Sequence, residues 1–246
     1  MTSVLKIVRN AEDIGAQPAV SMSQWDWWQE EYFTATSATG SSMWVGAAIA
    51  SGTNTTAVPA SALLGYNPYG VFLRSSTTTG GGYRYVTTSA AADYFGAISH
   101  KFRCQFQWLT SFTGRTVRMG YHDVTTNVAP TDGAYFEAND GTLSCITANN
   151  ASRTTNATTL ALSLGVPYTF DVEVNAAGNS ARFRVYSGTN STPVLDVSNT
   201  ANIPTTSARA FGAGIVATEA STTASDIGVL SLIGMGTSAG FSRYRG

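Results

Sequence analysis

Residues 131–150, TDGAYFEANDGTLSCITANN, and 167–188, PYTFDVEVNAAGNSARFRVYSG, alternate apolar and polar side chains in short runs cut by glycine and asparagine. Successive side chains of a β-strand point to opposite faces. Tyr168, Phe170, Val172 and Val174 therefore share one face, and Thr169, Asp171, Glu173 and Asn175 the other. Ala181–Tyr186 repeats the pattern, with Phe183 and Val185 set against Arg182, Arg184 and Tyr186, and Ala176–Ser180 supplies the turn. The expectation is an antiparallel hairpin with one face in a core and one in water, Asp171 and Glu173 lying on the solvated side.

Composition extends this reading to the whole chain. Of 246 residues only 12% are charged, 24 are glycine, and Thr, Ser, Ala and Asn are abundant, which favours strands and tight turns over helices. No segment carries a sustained helical period, and all-β sandwiches of this length form single domains. Phe102, Phe106 and Trp108 in KFRCQFQW, with Phe170, Val172, Phe183 and Val185, occupy the apolar phase of three strands and are expected to line one core. Cys104 and Cys145 fall in the same phase and read as buried free thiols. Two Cys and two His, scattered, make no zinc signature, and no cofactor or metal is expected.

A net charge of −1 and a pI near 6.1 exclude the clustered basic surface on which nucleic-acid binding rests. The N-terminal stretch MTSVLKIVRNAEDIGAQPAV lacks the apolar core of a signal peptide or membrane anchor, so synthesis in the cytoplasm without membrane insertion is the expectation.

Along the chain, residues 1–24 read as an arm outside the sandwich, 25–236 as the sandwich and 237–246 as a tail. Behind the arm comes the densest aromatic cluster, Trp25, Trp27 and Trp28. Tryptophan offers large rigid contact area, and these rings, with Leu5 and Ile7 of the short β-prone run SVLKIVRN, are the expected contact to a neighbouring subunit or particle. Gly80-Gly81-Gly82 reads as a wide hairpin connection; no Gly-Lys-Ser/Thr follows that would make it a phosphate cradle. NNASRTTNATTLALSLGVP reads as a polar connection.

The succession YGVFLRSSTTTGGG, KFRCQFQWLT, TVRMGYHD, TDGAYFEAND, the hairpin above, NIPTTSARAFGAGIV and VLSLIGMG resembles concanavalin A-like, laminin-G-like jelly-roll domains of bacteriophage virion proteins. The resemblance implies a two-sheet antiparallel jelly roll in a virion-surface subunit made in the host cytoplasm, such as a capsid decoration, head fibre or tail-associated protein. The partners it implies are other copies of the chain, as a homotrimer, other capsid or tail proteins, and a host-surface glycan. It carries over no catalytic residue.

An enzymatic alternative, a glycan-hydrolysing tail module, needs paired carboxylates in a cleft. Asp171 and Glu173 share a face with Thr169 and Asn175, as on a solvated sheet, and the third carboxylate of a Glu-x-Asp-x-Glu run is missing. Glu137 projects to the same side as Tyr135 and opposite Phe136, which makes Glu137 and Tyr135 the candidate ligand-facing pair. His122-Asp123 lies where a strand ends, and a turn-forming Asp accounts for it without a triad. Asp132, Asn139 and Asp140 flank the GAYFEA strand at opposite ends and lack a calcium-loop spacing. The reading is a non-enzymatic structural protein, with carbohydrate binding as the alternative.

Overall fold

The computed structural model describes residues 5–7, 27–32, 44–50, 52–55, 71–75, 77–87, 94–209, 211–223 and 225–238. These residues form two packed antiparallel sheets, with no α-helix among them and a single 3-10 turn at Ser207–Arg209. No helix among them is long and apolar enough to cross a membrane.

The first sheet runs in the order β1 (Leu5–Ile7), β2 (Trp27–Tyr32), β17 (Asp226–Ser238), β7 (Ser99–Trp108), β13 (Pro167–Val174), β14 (Ala181–Ser187) and β15 (Leu195–Asn199), with β4 (Thr53–Thr55) and β5 (Val71–Arg74) joined through β17. The second runs β11 (Ser152–Thr155), β10 (Thr142–Asn149), β9 (Gly133–Asn139), β8 (Arg115–His122), β16 (Gly212–Glu219), β6 (Gly81–Thr87) and β3 (Trp44–Ile49), with β12 (Leu160–Ala161) beside β10. The chain is a jelly-roll sandwich, its antiparallel strands as the alternation predicts and its two-sheet jelly roll as the resemblance implies.

The core lies between the sheets. Phe102, Phe106, Trp108, Phe170, Val172, Phe183 and Val185 all enter it, and Cys104 and Cys145 are buried there as free thiols. Phe136 of the second sheet meets Phe170 and Phe183 of the first at 5.4 and 5.3 Å, edge on, the arrangement aromatic rings prefer. Arg115, buried, ties the crossings at one end: its Nη1 donates to the carbonyls of Ser111 and Ile227, and its Nη2 to the Ser225 hydroxyl.

Several expectations are corrected. Asp171 is not solvated but fully buried: Arg103 Nε and Nη2 donate to its two oxygens at 2.6 and 2.7 Å, and Lys101 Nζ lies 3.8 Å away. Register places Asp171 between Arg103 of β7 and Arg184 of β14, a neighbourhood invisible in the local alternation. Tyr186, assigned to the wet face, is buried as well. Gly80–Gly82 is no hairpin, because β5 belongs to the first sheet and β6 to the second; Gly80, at φ 77°, turns the chain across the sandwich. The connection 149–167 contains β11 and β12. In the arm, Leu5–Ile7 pairs with Gln29–Glu31 of the same chain, so β1 extends the first sheet. β17 continues two residues beyond Gly236, to Ser238.

Candidate functional site

The sequence-selected residues fall on different sheets. Leu5 and Ile7 lie in β1 and Trp27 and Trp28 in β2, all in the first sheet, with their side chains outside the described residues; Trp25 lies outside them altogether. Glu137 and Tyr135 lie on β9 in the second sheet and both point away from the core, as alternation predicts for residues either side of Phe136.

Around Glu137 the outward face of the second sheet assembles a charged cluster from three strands. The cross-strand row through Glu137 runs Arg84, Val216, Arg118, Glu137, Ser144. Arg118 Nε donates to Glu137 Oε2 at 2.8 Å, and Arg153 of β11 donates from Nη2 to Oε1 at 3.0 Å, so each carboxylate oxygen takes a separate guanidinium. Glu137 and Arg153 keep about a fifth and a third of their side chains in solvent. Exposed Asn139, Thr142 and Thr155 and half-buried Ser144 and Thr116 surround the pair with hydroxyls and an amide.

Tyr135 is fully buried beneath this edge rather than open to a ligand. It packs with Ile146 and Ala148, and the Arg153 guanidinium carbon lies 5.9 Å from its ring centre. Its cross-strand neighbour is Gly120, whose φ of 138° and close approach leave no room for a Cβ, which would sit 2.8 Å from Tyr135 Cα. Burial pushes the Tyr135 hydroxyl up to about 12, with Arg153 opposing; the hydroxyl makes no hydrogen bond of ordinary geometry. His122, whose ring lies 6.1 Å from that of Tyr135, is buried on the same face. Burial, aided by Arg118, pushes its imidazole down to about 4, which leaves it neutral near pH 7. Its Nδ1 is 3.0 Å from the Val124 carbonyl, which accepts the ring proton.

The β8–β9 loop, residues 123–132, lies across this face. Arg84 Nη1 donates to Thr125 O at 2.6 Å and Arg118 Nη1 to Asn127 O at 3.1 Å, from the two strands flanking Val216. Asp123 closes the loop's neck by accepting from the Thr131 amide at 3.0 Å and from the Thr131 hydroxyl. That is the turn role its position suggested. Asp132 accepts from the Asn150 amide and Asp140 from the Gly114 amide, so both flanking carboxylates cap backbone groups. Among the described residues no group of three or more His, Cys, Asp or Glu could hold a metal.

Sequence reasoning missed Arg118, Arg153 and Arg84. The alternation of TVRMGYH places Arg118 and His122 outward, and GYRYV does the same for Arg84. Arg153 was hidden by the polar character of its strand. At the outward positions of the described second-sheet strands, Glu137 is the only carboxylate. The face can therefore offer an oriented acceptor, guanidinium donors and hydroxyls, but lacks the second carboxylate that acid–base glycoside hydrolysis uses.

Comparison with known proteins follows the fold. The structure is similar to SO2946 from Shewanella oneidensis MR-1, with a TM-score of 0.68 at 14% identity over 89% of each chain. It is also similar to lectin II from Ulex europaeus, TM-score 0.57 at 8% identity over 87% of this chain and 99% of that one. Lectin I from Ulex europaeus, solved with the methyl glycoside of α-L-fucose, matches with TM-score 0.52 at 8% identity over 85% and 95%. At these identities the likeness is one of fold, the concanavalin A-like jelly roll, and nothing in it points specifically to bacteriophage virion proteins. No curated protein matches the sequence. The sequence itself carries the family assignment: residues 67–230 match the SO2946-like, C-terminal domain, and the chain belongs to that family.

Proposed function

We propose that this chain is a non-enzymatic carbohydrate-binding domain whose site is the outward face of the second sheet around Glu137. The observation that carries the reading is the bracing of Glu137 between Arg118 and Arg153 on a hydroxyl-rich, partly open face. An oriented carboxylate accepts from sugar hydroxyls, and guanidinium groups donate to ring and hydroxyl oxygens in fixed directions. The lectin-like fold, found in a lectin solved with a fucoside, supports the same reading. The test is a glycan array followed by titration calorimetry on the best binders. Saccharide binding that falls at least tenfold, about 1.4 kcal/mol, in Glu137→Gln is the expected result. Undiminished binding by Glu137→Gln moves the site elsewhere. New reducing ends released from a bound polysaccharide, and lost in Glu137→Gln, overturn the non-enzymatic part.

A second reading places the domain on a bacteriophage particle as a homotrimeric surface subunit, made in the host cytoplasm, with the glycan face directed at the host and other capsid or tail proteins as partners. Its support is the resemblance in strand order described above. In that setting the segment 1–24 with Trp25, Trp27 and Trp28 contacts a neighbouring copy or the particle. Removal of residues 1–24 then lowers the oligomer mass measured by light scattering; an unchanged mass refutes that role.

A further inference from the structure

We propose that the Glu137 face selects acidic saccharides, glycans bearing carboxylate groups such as uronic acids, over neutral ones; this rests on the carbohydrate-binding reading. The outward positions of the described second-sheet strands hold Arg84, Arg118 and Arg153 against the single carboxylate of Glu137, an excess of two positive charges in a chain whose net charge is −1. The nearby loop and strand-end carboxylates keep their charge but are turned to other donors, so none of them forms an ion pair with these three arginines. Asp123 is taken by Thr131, Asp132 by the Asn150 amide with Arg209 3.9 Å away, and Asp140 by the Gly114 amide. Arg118 and Arg153 share one carboxylate, and no carboxylate among the described residues lies within ion-pair distance of Arg84.

The three guanidinium groups are not equivalent. Arg84 and Arg118 are committed to the loop carbonyls of Thr125 and Asn127. Arg153 makes no such loop contact, keeps about a third of its side chain in solvent, and stands at the edge of the sheet beside exposed Thr155. A sugar carboxylate arriving there meets a planar donor that accepts bidentate pairing. The hydroxyls and amide of Ser144, Thr142 and Asn139 line the adjoining strands for the rest of the chain of sugars. Attraction between an exposed guanidinium and a ligand carboxylate is screened by salt, so the selectivity is expected to depend on ionic strength.

The experiment titrates the full chain with an oligogalacturonate tetrasaccharide and with a neutral galacto-tetrasaccharide, at about 0.05 M and about 0.3 M salt. The expected result is at least tenfold tighter binding of the acidic ligand at low salt, a smaller preference at high salt, loss of the preference in Arg153→Gln, and a reduced but measurable preference in Arg153→Lys, which keeps the charge without the bidentate fork. Equal binding of both ligands overturns the acidic preference and leaves the carbohydrate-binding reading standing. A preference that survives in Arg153→Gln overturns the assignment to Arg153. Absence of binding to either ligand, with an array negative for all saccharides, overturns the underlying reading together with this one.

Discussion

The outward faces of the two sheets carry the same kinds of residue and use them in opposite ways. On the first sheet Lys101, Arg103, Asp171, Glu173, Arg182, Arg184 and Asp196 form a lattice of ion pairs, buried at Asp171 and open to solvent at Arg182. Arg103 grips Asp171, Arg184 donates to Glu173 at 2.6 Å, and Arg182 binds Asp196 through both its oxygens at 2.8 and 2.6 Å. Burial alone would raise the Asp171 carboxyl, yet the charge and hydrogen bonds of Arg103, with Lys101, hold it below the usual carboxylate range. Burial lowers Lys101 to about 8 against the pull of the same Asp171. On the second sheet three arginines face one carboxylate, and the cluster opens to solvent at Arg153. A lattice in which every cation reaches a carboxylate is a structural device; one in which Arg118 and Arg153 share a single carboxylate and Arg84 has none among the described residues within ion-pair distance can still bind something.

The largest effects test the first face. Asp171→Asn strands Arg103 and Lys101 in a buried site and is expected to cost about 3–5 kcal/mol, as breaking a buried pair does. Its neighbour Phe170, on the core side, is expected to cost a similar 3–5 kcal/mol on truncation to Ala. Equilibrium denaturation measures both. A loss below about 1 kcal/mol for Asp171→Asn would mean that its burial is misassigned and that the two faces do not differ as described.

Acid titration comes next. His100 and His122 are buried with imidazoles pushed down by burial to about 4, from an ordinary 6.5. The unfolded chain therefore takes up protons that the folded chain refuses. Stability is complete above about 6.5 and is lost as pH falls toward 4, by about 1.4 kcal/mol per unit for each histidine. Asp171 and Asp196, held below 3.8, add their loss only at still lower pH. Because His122 belongs to the second face and His100 to the core, His122→Gln should remove about half of this slope. An unchanged slope would show that His122 is not buried neutral.

Gly120→Ala tests the platform beneath the site. The new Cβ would lie 2.7 Å from Ala134 O at a φ of 138°, so a loss of about 1–3 kcal/mol is expected, with displacement of Tyr135 and weakened glycan binding. The smallest stability effect is expected at Glu137, where Gln should cost about 1 kcal/mol or less because the pair is partly solvated. Glu137 and Asp171 would then stand as opposites, the one dispensable for folding and needed for binding, the other needed for folding.

Much of this organisation is written in local alternation. The phase of Phe102, Phe106 and Trp108, of Phe170 and Val172, and of Phe183 and Val185 identifies the core directly, because a strand's two faces are set by a period of two. The same period puts Glu137 and Tyr135 on one side and Phe136 on the other. What alternation cannot supply is the neighbour across the ladder. Asp171 reads as water-facing because nothing within Tyr168–Asn175 reveals that Arg103, some seventy residues earlier, will lie opposite. Gly80–Gly82 likewise reads as a hairpin until β5 and β6 are seen in different sheets.

The chain by itself thus determined its all-β class and the inner face of most strands, since those follow from the chemistry of residues close in sequence, while the jelly roll was implied only by the resemblance in strand order. The tertiary structure alone decided which charges are matched. It joined Arg118, Glu137 and Arg153 from three strands, buried Tyr135 against Gly120, and tied the loop 123–132 to Arg84 and Arg118. Such pairings depend on strand order and register, and these arise from the packing of the whole sandwich, where a shift of one residue exchanges every inward side chain for an outward one.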